Sequence, residues 1–275
     1  MSFDYNQSIW GQDTASLKPS HPTAIRLFQS LKLLKNLSGK IKILEVGCGA
    51  GQFIRSIKQS LPTSECYGFD VSEAAINKAK DAKDAVNYLV GPADHWPLGD
   101  NFFDAVVIYD VLEHVESVGQ TMIELKRVLK PGGLVYAFIP CEGDYLSFWR
   151  WLKFSEKFDT LTNKYAGHIN RFSRAHWQKI FNQSGFDIAV KKYSEHFFGQ
   201  LLGVLAFYLM DRRAKNNNLS QLNNEEYFGS LGKKSKFKKL LAWARILVNS
   251  LIYWESIIFQ DMPSPNMHLV AQKMK

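Results

Sequence analysis

The stretch that decides the fold is Ile43–Phe53, which reads ILEVGCGAGQF. An apolar run suited to a buried strand leads into Gly47, Gly49 and Gly51, and helix-like sequence follows. Glycine tolerates positive φ and lets a ligand lie against the backbone. In open α/β sheets, ligands bind at such turns, at the carboxyl ends of the strands. A dinucleotide-binding turn has the pattern G-x-G-x-x-G, but Gln52 stands where its third glycine belongs. The stretch therefore predicts a ligand loop of another kind.

Strand-like and helix-like segments alternate outward from this stretch. Seven segments have the apolar pattern of strands: Lys42–Val46, Glu65–Asp70, Val86–Gly91, Phe103–Tyr109, Gly133–Ile139, Phe186–Tyr193 and Met267–Gln272. Apolar residues recur at helical spacing in Thr23–Leu37, Gly51–Gln59, Ser72–Ala79, Val118–Leu129 and Ser173–Ser184. Such alternation predicts an α/β fold in which helices cover both faces of a mostly parallel sheet.

About seventy residues separate the last two predicted strands, which is long for a connection inside a compact domain. They hold two apolar segments, Phe197–Met210 and Leu240–Phe259, joined by a polar loop at Arg212–Lys239. Neither segment qualifies as a membrane span, since a spanning helix needs about 20 mostly apolar residues. The chain is therefore divided into an N-terminal helical cap (1–40), a core (41–195), a helical lid or insertion (196–262) and a final core strand (263–275).

The composition is that of a folded protein with one strongly basic part. Of the 275 residues, 46% are hydrophobic and 22% are charged, which excludes disordered and collagen-like classes. The net charge is −2 for residues 1–150 and +10 for residues 151–275, so the second part is expected to face an anionic partner. Three cysteines without a C-x-x-C pair indicate neither a disulfide framework nor a zinc site. The N-terminus lacks the pattern of a secretory signal.

Four motifs occur along the predicted core in a fixed order. They are Glu45–Gly51 (EVGCGAG), Asp70 in YGFDVS, Gly91–Pro97 (GPADHWP), and Phe102–Val115 (FFDAVVIYDVLEHV) followed by Leu125–Pro140 (LKRVLKPGGLVYAFIP). This set resembles the class I S-adenosylmethionine-dependent methyltransferases, in particular the group that acts on small molecules. The resemblance covers residues 41 to about 193 and the last strand. It implies a Rossmann-like sheet of seven mostly parallel strands with an added helical lid.

The resemblance also implies that the cofactor is S-adenosylmethionine and the product S-adenosylhomocysteine. The glycine loop would wrap the methionine part, and Asp70 would accept hydrogen bonds from both ribose hydroxyls. The family usually has an acid where Pro92 stands, so Asp94 or the backbone of Ala93 is expected to meet the adenine instead. The residues expected to bind the cofactor are Glu45, Gly47, Cys48, Gly49, Gly51, Asp70, Val71, Ala93, Asp94 and Asp110.

Two histidines are the candidates for catalysis. Methyl transfer from a sulfonium is an in-line displacement, which requires chiefly that the acceptor be held close and aligned. A hydroxyl acceptor also needs a base, and histidine has a suitable pKa. His114 follows the fourth strand and could simply cap a helix or pack against the loop, and His168 precedes a predicted helix. Glu113 and Tyr109 are expected to shape the pocket. No D/N-P-P-Y/F/W segment follows the fourth strand, which argues against amide or nucleobase amino acceptors.

The basic second part offers candidate contacts to an acceptor and to a surface. The residues expected to contact the acceptor are Tyr145, Trp149, Phe197 and Phe198. The apolar face of Leu240–Phe259 follows a lysine cluster within residues 233–239, a composition typical of helices that lie on anionic membranes. The same segments could form a lid over the sheet, and the two interpretations are compatible. The FWRWLKF stretch at 148–154 interleaves aromatic and basic residues as RNA-stacking surfaces do, but no RNA-binding module accompanies it.

These observations favour an S-adenosylmethionine-dependent methyltransferase that methylates an oxygen of a hydrophobic, lipid-like, quinone-like or natural-product-like small molecule. The alternative from a different class is a catalytically silent protein of the same fold that binds the cofactor and regulates a partner. An RNA methyltransferase is the less favoured third hypothesis. We expect a cytoplasmic protein, open to peripheral contact with an anionic membrane, with no resident metal ion.

Overall fold

The computed structural model describes residues 9–11, 14–152, 161–217 and 238–274. The strands are β1 Lys42–Val46, β2 Glu65–Asp70, β3 Val86–Val90, β4 Phe103–Tyr109, β5 Leu129–Pro140, β6 Phe186–Ser194 and β7 Asn266–Lys273. The helices are α1 Ala24–Leu34, α2 Gln52–Ser60, α3 Glu73–Lys80, α4 Val118–Val128, α5 Phe148–Leu152, α6 Leu161–Ala166, α7 Arg174–Gln183, α8 Phe198–Asn217 and α9 Lys238–Ile258. These bounds confirm the predicted alternation.

All seven strands form one sheet in the order β3-β2-β1-β4-β5-β7-β6. Strands β1 to β5 pair in parallel, whereas β7 runs antiparallel to both β5 and β6. The chain proceeds to one side of β1 through β2 and β3 and to the other side through β4 and β5. Open α/β sheets bind their ligands at such a reversal, outside the carboxyl ends of the strands. The fold is the predicted Rossmann-like, seven-stranded class I architecture.

The central strands are apolar on both faces because helices cover both. Ile43 and Val107 pack with α1 and α2 on one face, and Leu44 and Val106 pack with α4 and α7 on the other. All four are fully buried, as expected for the middle of a parallel sheet. Packing on both faces thus holds β1 and β4 in place. The residues that follow these two strands are therefore attached to well-packed strand ends.

Serine caps decide where three of the helices begin. Ser72, Ser117 and Ser173 precede α3, α4 and α7, and the side chain of each accepts a hydrogen bond from a backbone N–H in the first turn. Such caps satisfy donors that the helix itself leaves unpaired. The caps explain why these helix starts are close to the predicted ones.

Helix α8 is longer than the sequence pattern indicates. The apolar segment was expected to end at Met210 and a polar loop to start at Arg212, but the helix continues to Asn217. Asp211 is buried and accepts hydrogen bonds from Tyr165 Oη at 2.9 Å and Lys164 Nζ at 3.1 Å. These contacts tie α8 to α6, so the helix passes through the polar residues instead of ending before them.

Helices α8 and α9 pack against each other, and α9 also packs against β6 and α1. Glu255 of α9, which is buried, accepts hydrogen bonds from the backbone N–H groups of Phe197 and Phe198 at 2.9 and 3.1 Å and so caps the start of α8. Asn249 of α9 donates to the carbonyl oxygen of Ser20 near the N-terminus. Among the described residues, no helix has the length and apolar character required to cross a bilayer.

Candidate functional site

A cavity of about 2550 Å³ opens at the carboxyl ends of β1, β2, β4 and β5. The glycine loop and Asp70 line it on the cofactor side, and inner residues of α8 and α9 line it on the far side. His114 and His168 also line it, each following the sheet on a different connection. The cavity therefore joins the predicted catalytic residues and the predicted cofactor residues in one space, except for Gly51, which does not line it.

The glycine loop leaves no room for side chains. Gly47 and Gly49 have φ of +71° and +52°. A Cβ on Gly47 would lie 2.3 Å from Val111 Cγ2, and a Cβ on Gly49 would lie 2.6 Å from the carbonyl oxygen of Trp10. The same Trp10 oxygen accepts a hydrogen bond from the N–H of Ala50 at 2.8 Å. The N-terminal segment thus closes one side of the loop, and the loop backbone is available to a ligand that lies directly against it.

We expect Gly49→Ala to weaken binding of S-adenosylhomocysteine at least tenfold. The added methyl group must displace Trp10 while the backbone keeps a strained positive φ. Gly39→Ala is the matched control, because Gly39 also has positive φ, +85°, but has no atom within 4 Å of the position of a Cβ. Calorimetric titration of both variants makes the comparison. Equal losses in the two variants would contradict a specific role for the loop.

Asp70 has two contacts with the backbone around the loop. Its Oδ2 accepts from the N–H of Gly49 at 2.8 Å, and its Oδ1 accepts from the N–H of Ser72 at 2.9 Å. Burial raises the pKa of Asp70, while these backbone donors oppose the rise. A carboxylate has about four lone-pair sites, so Asp70 keeps the capacity to accept two ribose hydroxyls. The expected ribose contact and the observed support of the loop can coexist.

Glu45 and Cys48 take mainly structural positions. Glu45 is buried in β1, and its Oε2 accepts from the N–H of Ile54 at 2.7 Å. Burial raises the pKa of Glu45 well above its usual value. This carboxyl group is therefore used to hold the first turn of α2 against β1. Cys48 is likewise buried below the loop, and we keep only its backbone as a candidate cofactor contact.

The third motif lies beside Asp70. The N–H of Gly91 donates to the carbonyl oxygen of Asp70 at 3.3 Å. Trp96 is buried, and its Nε1 donates to the carbonyl oxygen of Ala93 at 3.1 Å. Gln120 of α4 donates to the carbonyl oxygen of Asp94 at 3.0 Å. Val71, Ala93 and Asp94 all line the cavity, so the structure brings them to the same end as the glycine loop.

A cluster of two carboxyl groups and two imidazoles lies beyond the ends of β4 and β5. His168 Nδ1 is 2.6 Å from Glu142 Oε1, and its Nε2 is 4.0 Å from Glu113 Oε1. His114 Nε2 is 3.7 Å from the same Glu113 oxygen, and its Nδ1 is 3.2 Å from the carbonyl oxygen of Gly167. The two imidazole rings meet edge to face at 4.8 Å. The structure thus brings together both histidines singled out by the sequence.

Burial separates the pKa values within this cluster. Burial lowers the pKa of His114 to about 3. Burial also acts to lower the pKa of His168, but the Glu142 and Glu113 carboxylates outweigh it and raise that pKa to about 9. Burial, followed by the charge of Asp110, raises the pKa of Glu113 to about 8. At neutral pH, His114 is the imidazole that can accept a hydrogen bond, whereas His168 is cationic.

Asp110 is held by a residue from the N-terminal cap. Arg26 Nη1 of α1 lies 3.0 Å from Asp110 Oδ2, and Arg26 Nη2 lies 3.6 Å from Glu195 Oε1. The guanidinium also stacks over Phe138 at 4.2 Å. Asp110 has a φ of +51°, a left-handed conformation that is uncommon for residues other than glycine. Arg26, Glu142 and Glu195 were not anticipated from the sequence, since no local pattern links them to the site.

The four residues expected to contact the acceptor take different positions relative to the cavity. Trp149 lines the cavity, whereas Tyr145, Phe197 and Phe198 do not and are 61%, 54% and 39% exposed. The capping of the Phe197 and Phe198 amides by Glu255 fixes these two side chains at the outer end of α8. The far wall instead consists of inner residues of α8 and α9: Leu202, Ala206, Leu209, Val248, Ile252 and Tyr253.

Comparison with known proteins assigns this site to a class. Residues 44–137 match the family described as a methyltransferase domain. An uncharacterized methyltransferase of Schizosaccharomyces pombe is 33% identical over 117 residues, which is 38% of this chain and 42% of that protein. A demethylmenaquinone methyltransferase of Symbiobacterium thermophilum is 35% identical over 98 residues, which is 33% of this chain and 39% of that protein. The chain thus matches less than half the length of these relatives.

Two solved structures share the fold over almost the whole chain. The 4+2 cyclase SpnF aligns with a TM-score of 0.59 and 16% identity, covering 92% of this chain and 82% of that one. Phosphoethanolamine N-methyltransferase 2 of Haemonchus contortus, in complex with S-adenosylmethionine, aligns with a TM-score of 0.56 and 20% identity, covering 92% and 57%. At these identities the likeness shows the fold alone.

The matched family and the glycine cradle agree with each other. Residues 44–137 therefore match a methyltransferase domain, set within a seven-stranded sheet of the class I order. The crowded glycine loop and the Asp70 carboxylate provide a fitting cradle for S-adenosylmethionine, the cofactor expected for that class.

Proposed function

We propose that this protein transfers the methyl group of S-adenosylmethionine to an oxygen of a hydrophobic small molecule. One observation carries the proposal: a single cavity passes from the glycine loop, past the carboxyl–imidazole cluster, to the apolar inner sides of α8 and α9. On this proposal, residues 196–262 act as a lid over the core formed by 41–195 and 263–275, and residues 1–40 cap the cofactor side.

The chemistry requires alignment more than activation. The bound cofactor supplies a methyl carbon on a positively charged sulfur, and that bond breaks as the acceptor oxygen attacks. The cofactor side is held by Asp70 and the glycine loop. The acceptor oxygen would lie beside His114 and His168, which line the cavity between the two ends. The neutral imidazole of His114 can accept a hydrogen bond from the hydroxyl group of the acceptor molecule. Glu142 fixes the ring of His168 through its contact with Nδ1.

The walls beyond the cluster indicate the acceptor's character. Leu202, Val248 and Ile252 are apolar, and Trp149 adds an aromatic ring. The relatives named as demethylmenaquinone methyltransferases support an aromatic, quinone-like or phenol-like acceptor with an apolar tail. The names of these relatives do not say which atom of the acceptor this protein methylates. The proposal of an oxygen acceptor depends on the cluster instead, because imidazoles and carboxyl groups suit a hydroxyl proton.

The direct test is methyl transfer from radiolabelled S-adenosylmethionine to phenols with apolar tails of increasing length. We expect labelled product, and a kcat/KM that rises with tail length because the apolar walls become filled. Calorimetry with S-adenosylhomocysteine runs in parallel. Tight binding of S-adenosylhomocysteine together with no transfer to any acceptor would favour the alternative of a catalytically silent binding protein.

We further propose that the outer sides of α8 and α9 contact an anionic lipid surface, from which the acceptor would enter. Large apolar side chains that do not line the cavity are exposed on these helices: Leu201, Leu240, Trp243, Ile246, Leu247, Leu251, Trp254 and Ile258. The sequence adds Lys233, Lys234 and Lys236, which lie outside the described residues, and Lys238 and Lys239 at the start of α9. Each lysine near an anionic leaflet contributes about 1 kcal/mol. Tryptophan and lysine beside an exposed apolar face are typical of interfacial helices.

We expect Trp243→Ser combined with Leu247→Ser to lower binding to phosphatidylserine-containing vesicles at least tenfold. These side chains are 66% and 63% exposed, and inserting each fully into lipid is worth about 1.5–3 kcal/mol. Ile123→Ser combined with Val190→Ser removes exposed apolar side chains from other surfaces and is the matched control. Vesicle co-sedimentation measures both. No binding by the unsubstituted protein, or equal losses in the two double variants, would refute the membrane contact.

A further inference from the structure

We propose that Glu113, His114 and His168 bind one divalent transition-metal ion in the wall of the cavity. One atom from each residue, a carboxylate oxygen and two imidazole nitrogens, lies within 4.8 Å of the others. Two nitrogens and one oxygen are a donor set that suits Zn²⁺, Fe²⁺ or Mn²⁺ better than Mg²⁺ or Ca²⁺. The binding of the ion stands on this geometry alone; the role given to it below rests on the proposed function.

The spacing of the donors is close to what an ion requires. Zinc binds nitrogen and oxygen at about 2.0–2.2 Å, so tetrahedral ligands lie about 3.4 Å from one another. Glu113 Oε1 is 3.7 Å from His114 Nε2 and 4.0 Å from His168 Nε2. All three donor atoms lie within 4.8 Å of one another, so ligation requires the side chains to rotate toward a common centre. Glu113 and His114 are adjacent in the turn that follows β4, and His168 reaches them from the connection before α7.

The far nitrogens of both imidazoles are already held. His168 Nδ1 meets Glu142 Oε1 at 2.6 Å, and Glu142 is itself fixed by a hydrogen bond from Thr162 at 2.9 Å. His114 Nδ1 meets the carbonyl oxygen of Gly167 at 3.2 Å. Metal-binding histidines commonly donate their second N–H to a carboxylate or a backbone carbonyl, which orients the ring and fixes its tautomer. Both rings present Nε2 to the same carboxyl group.

Glu113 supplies the independent evidence for a ligand. Its side chain is 1% exposed, and neither carboxyl oxygen has a hydrogen-bond partner among the residues that the structure describes. The nearest histidine nitrogens, at 3.7 and 4.0 Å, are too far for hydrogen bonds. Leaving a buried carboxyl group unpaired is costly in free energy. An ion held between Glu113, His114 and His168 removes that cost, and its binding displaces the protons that Glu113 and His168 Nε2 otherwise hold at neutral pH.

Three protein ligands leave coordination positions open, as in catalytic rather than structural zinc sites. His114 and His168 line the cavity, so an open position faces the space between the glycine loop and the apolar walls. Under the proposed function, the ion binds the acceptor oxygen there in place of the His114 imidazole, and the hydroxyl proton is released to solvent as the oxygen binds. The sequence expectation of no resident metal came from the absence of cysteine pairs, and it did not anticipate ligands 54 residues apart.

The test is calorimetric titration of the EDTA-treated full chain with ZnCl₂ and with MnCl₂. We expect one site per chain for at least one of the two ions, and at least a tenfold loss of affinity in Glu113→Gln and in His168→Ala. Glu142→Gln alters only the residue that positions His168, and a loss of about tenfold is expected there with an unchanged thermal unfolding midpoint. His176→Ala, an exposed histidine on α7, is the control and should bind as the unsubstituted protein does.

Binding of S-adenosylhomocysteine is measured on every variant to verify that the cofactor side is intact. No stoichiometric binding of either ion by the unsubstituted protein, or unchanged affinity in Glu113→Gln, would overturn the metal site. Metal binding without methyl transfer to any acceptor would instead contradict only the proposed function. Methyl transfer that persists at full rate in EDTA would remove the ion from the reaction and contradict its role as the holder of the acceptor.

Discussion

Asp70→Ala is expected to weaken binding of S-adenosylhomocysteine about 100-fold. Hydrogen bonds to a charged group contribute about 1.5–3 kcal/mol each, so losing two ribose contacts costs at least about 3 kcal/mol. The substitution also removes the acceptor for the Gly49 N–H, which is 2.8 Å from Asp70 Oδ2. Both effects act on the same ligand, since the glycine loop forms the neighbouring wall of the cavity. Calorimetric titration measures the loss.

Two further variants separate the contributions of Asp70. Asp70→Asn keeps an oxygen that can accept from Gly49 but lacks the negative charge, so we expect a smaller loss of affinity than in Asp70→Ala. Asp187→Ala removes an exposed carboxylate on β6, at the opposite edge of the sheet, and should leave the affinity unchanged. An affinity of Asp70→Ala within twofold of the unsubstituted protein would contradict the ribose contact.

His168→Ala is expected to lower kcat for methyl transfer at least 100-fold while the affinity for S-adenosylhomocysteine stays within twofold. A residue that holds or activates the acceptor contributes about 10²–10⁴-fold to the rate. His168 lies against Glu142 and Glu113 and has no contact with the glycine loop or Asp70 among the described hydrogen bonds. Its loss should therefore affect the reacting oxygen and spare the cofactor.

The control for this prediction is again His176→Ala, which replaces an exposed histidine and should leave kcat unchanged. Measuring kcat and cofactor affinity on the same preparations distinguishes a local effect from unfolding. Full activity of His168→Ala would exclude this imidazole from catalysis. A parallel loss of cofactor affinity would instead show that His168 supports the fold around the cavity.

The sheet and the cofactor side could be predicted because their signals are local. The glycines of the loop, the acid that ends β2 and the serine caps of three helices act within a few residues of their own positions. Strand alternation likewise depends only on neighbouring residues. These features were therefore visible in the sequence, and the structure places them where the pattern indicated.

The acceptor side depends on contacts that no local pattern reveals. Arg26 reaches Asp110 across 84 positions, and Glu142 meets His168 across 26. The first part of α8, up to Met210, is apolar on nearly all sides, so the sequence could not show that Phe198 lies outside the cavity while Leu202 lies inside. Only the packing of α8 against α6 and α9 decides which side faces the cavity.

Helices α8 and α9 belong to a single connection between two strands of the sheet, and this placement bears on how the acceptor preference could change. They lie between β6 and β7, which are antiparallel neighbours, and Ser194 at the end of β6 pairs with Asn266 at the start of β7. The chain leaves β6 and enters β7 at paired positions, and a short hairpin turn could join two antiparallel strands at such positions. The intervening segment can therefore lengthen, shorten or be exchanged without altering the strand register. Under the proposed function, a change in this segment would alter the apolar wall beyond the carboxyl–imidazole cluster and leave the cofactor side as it is.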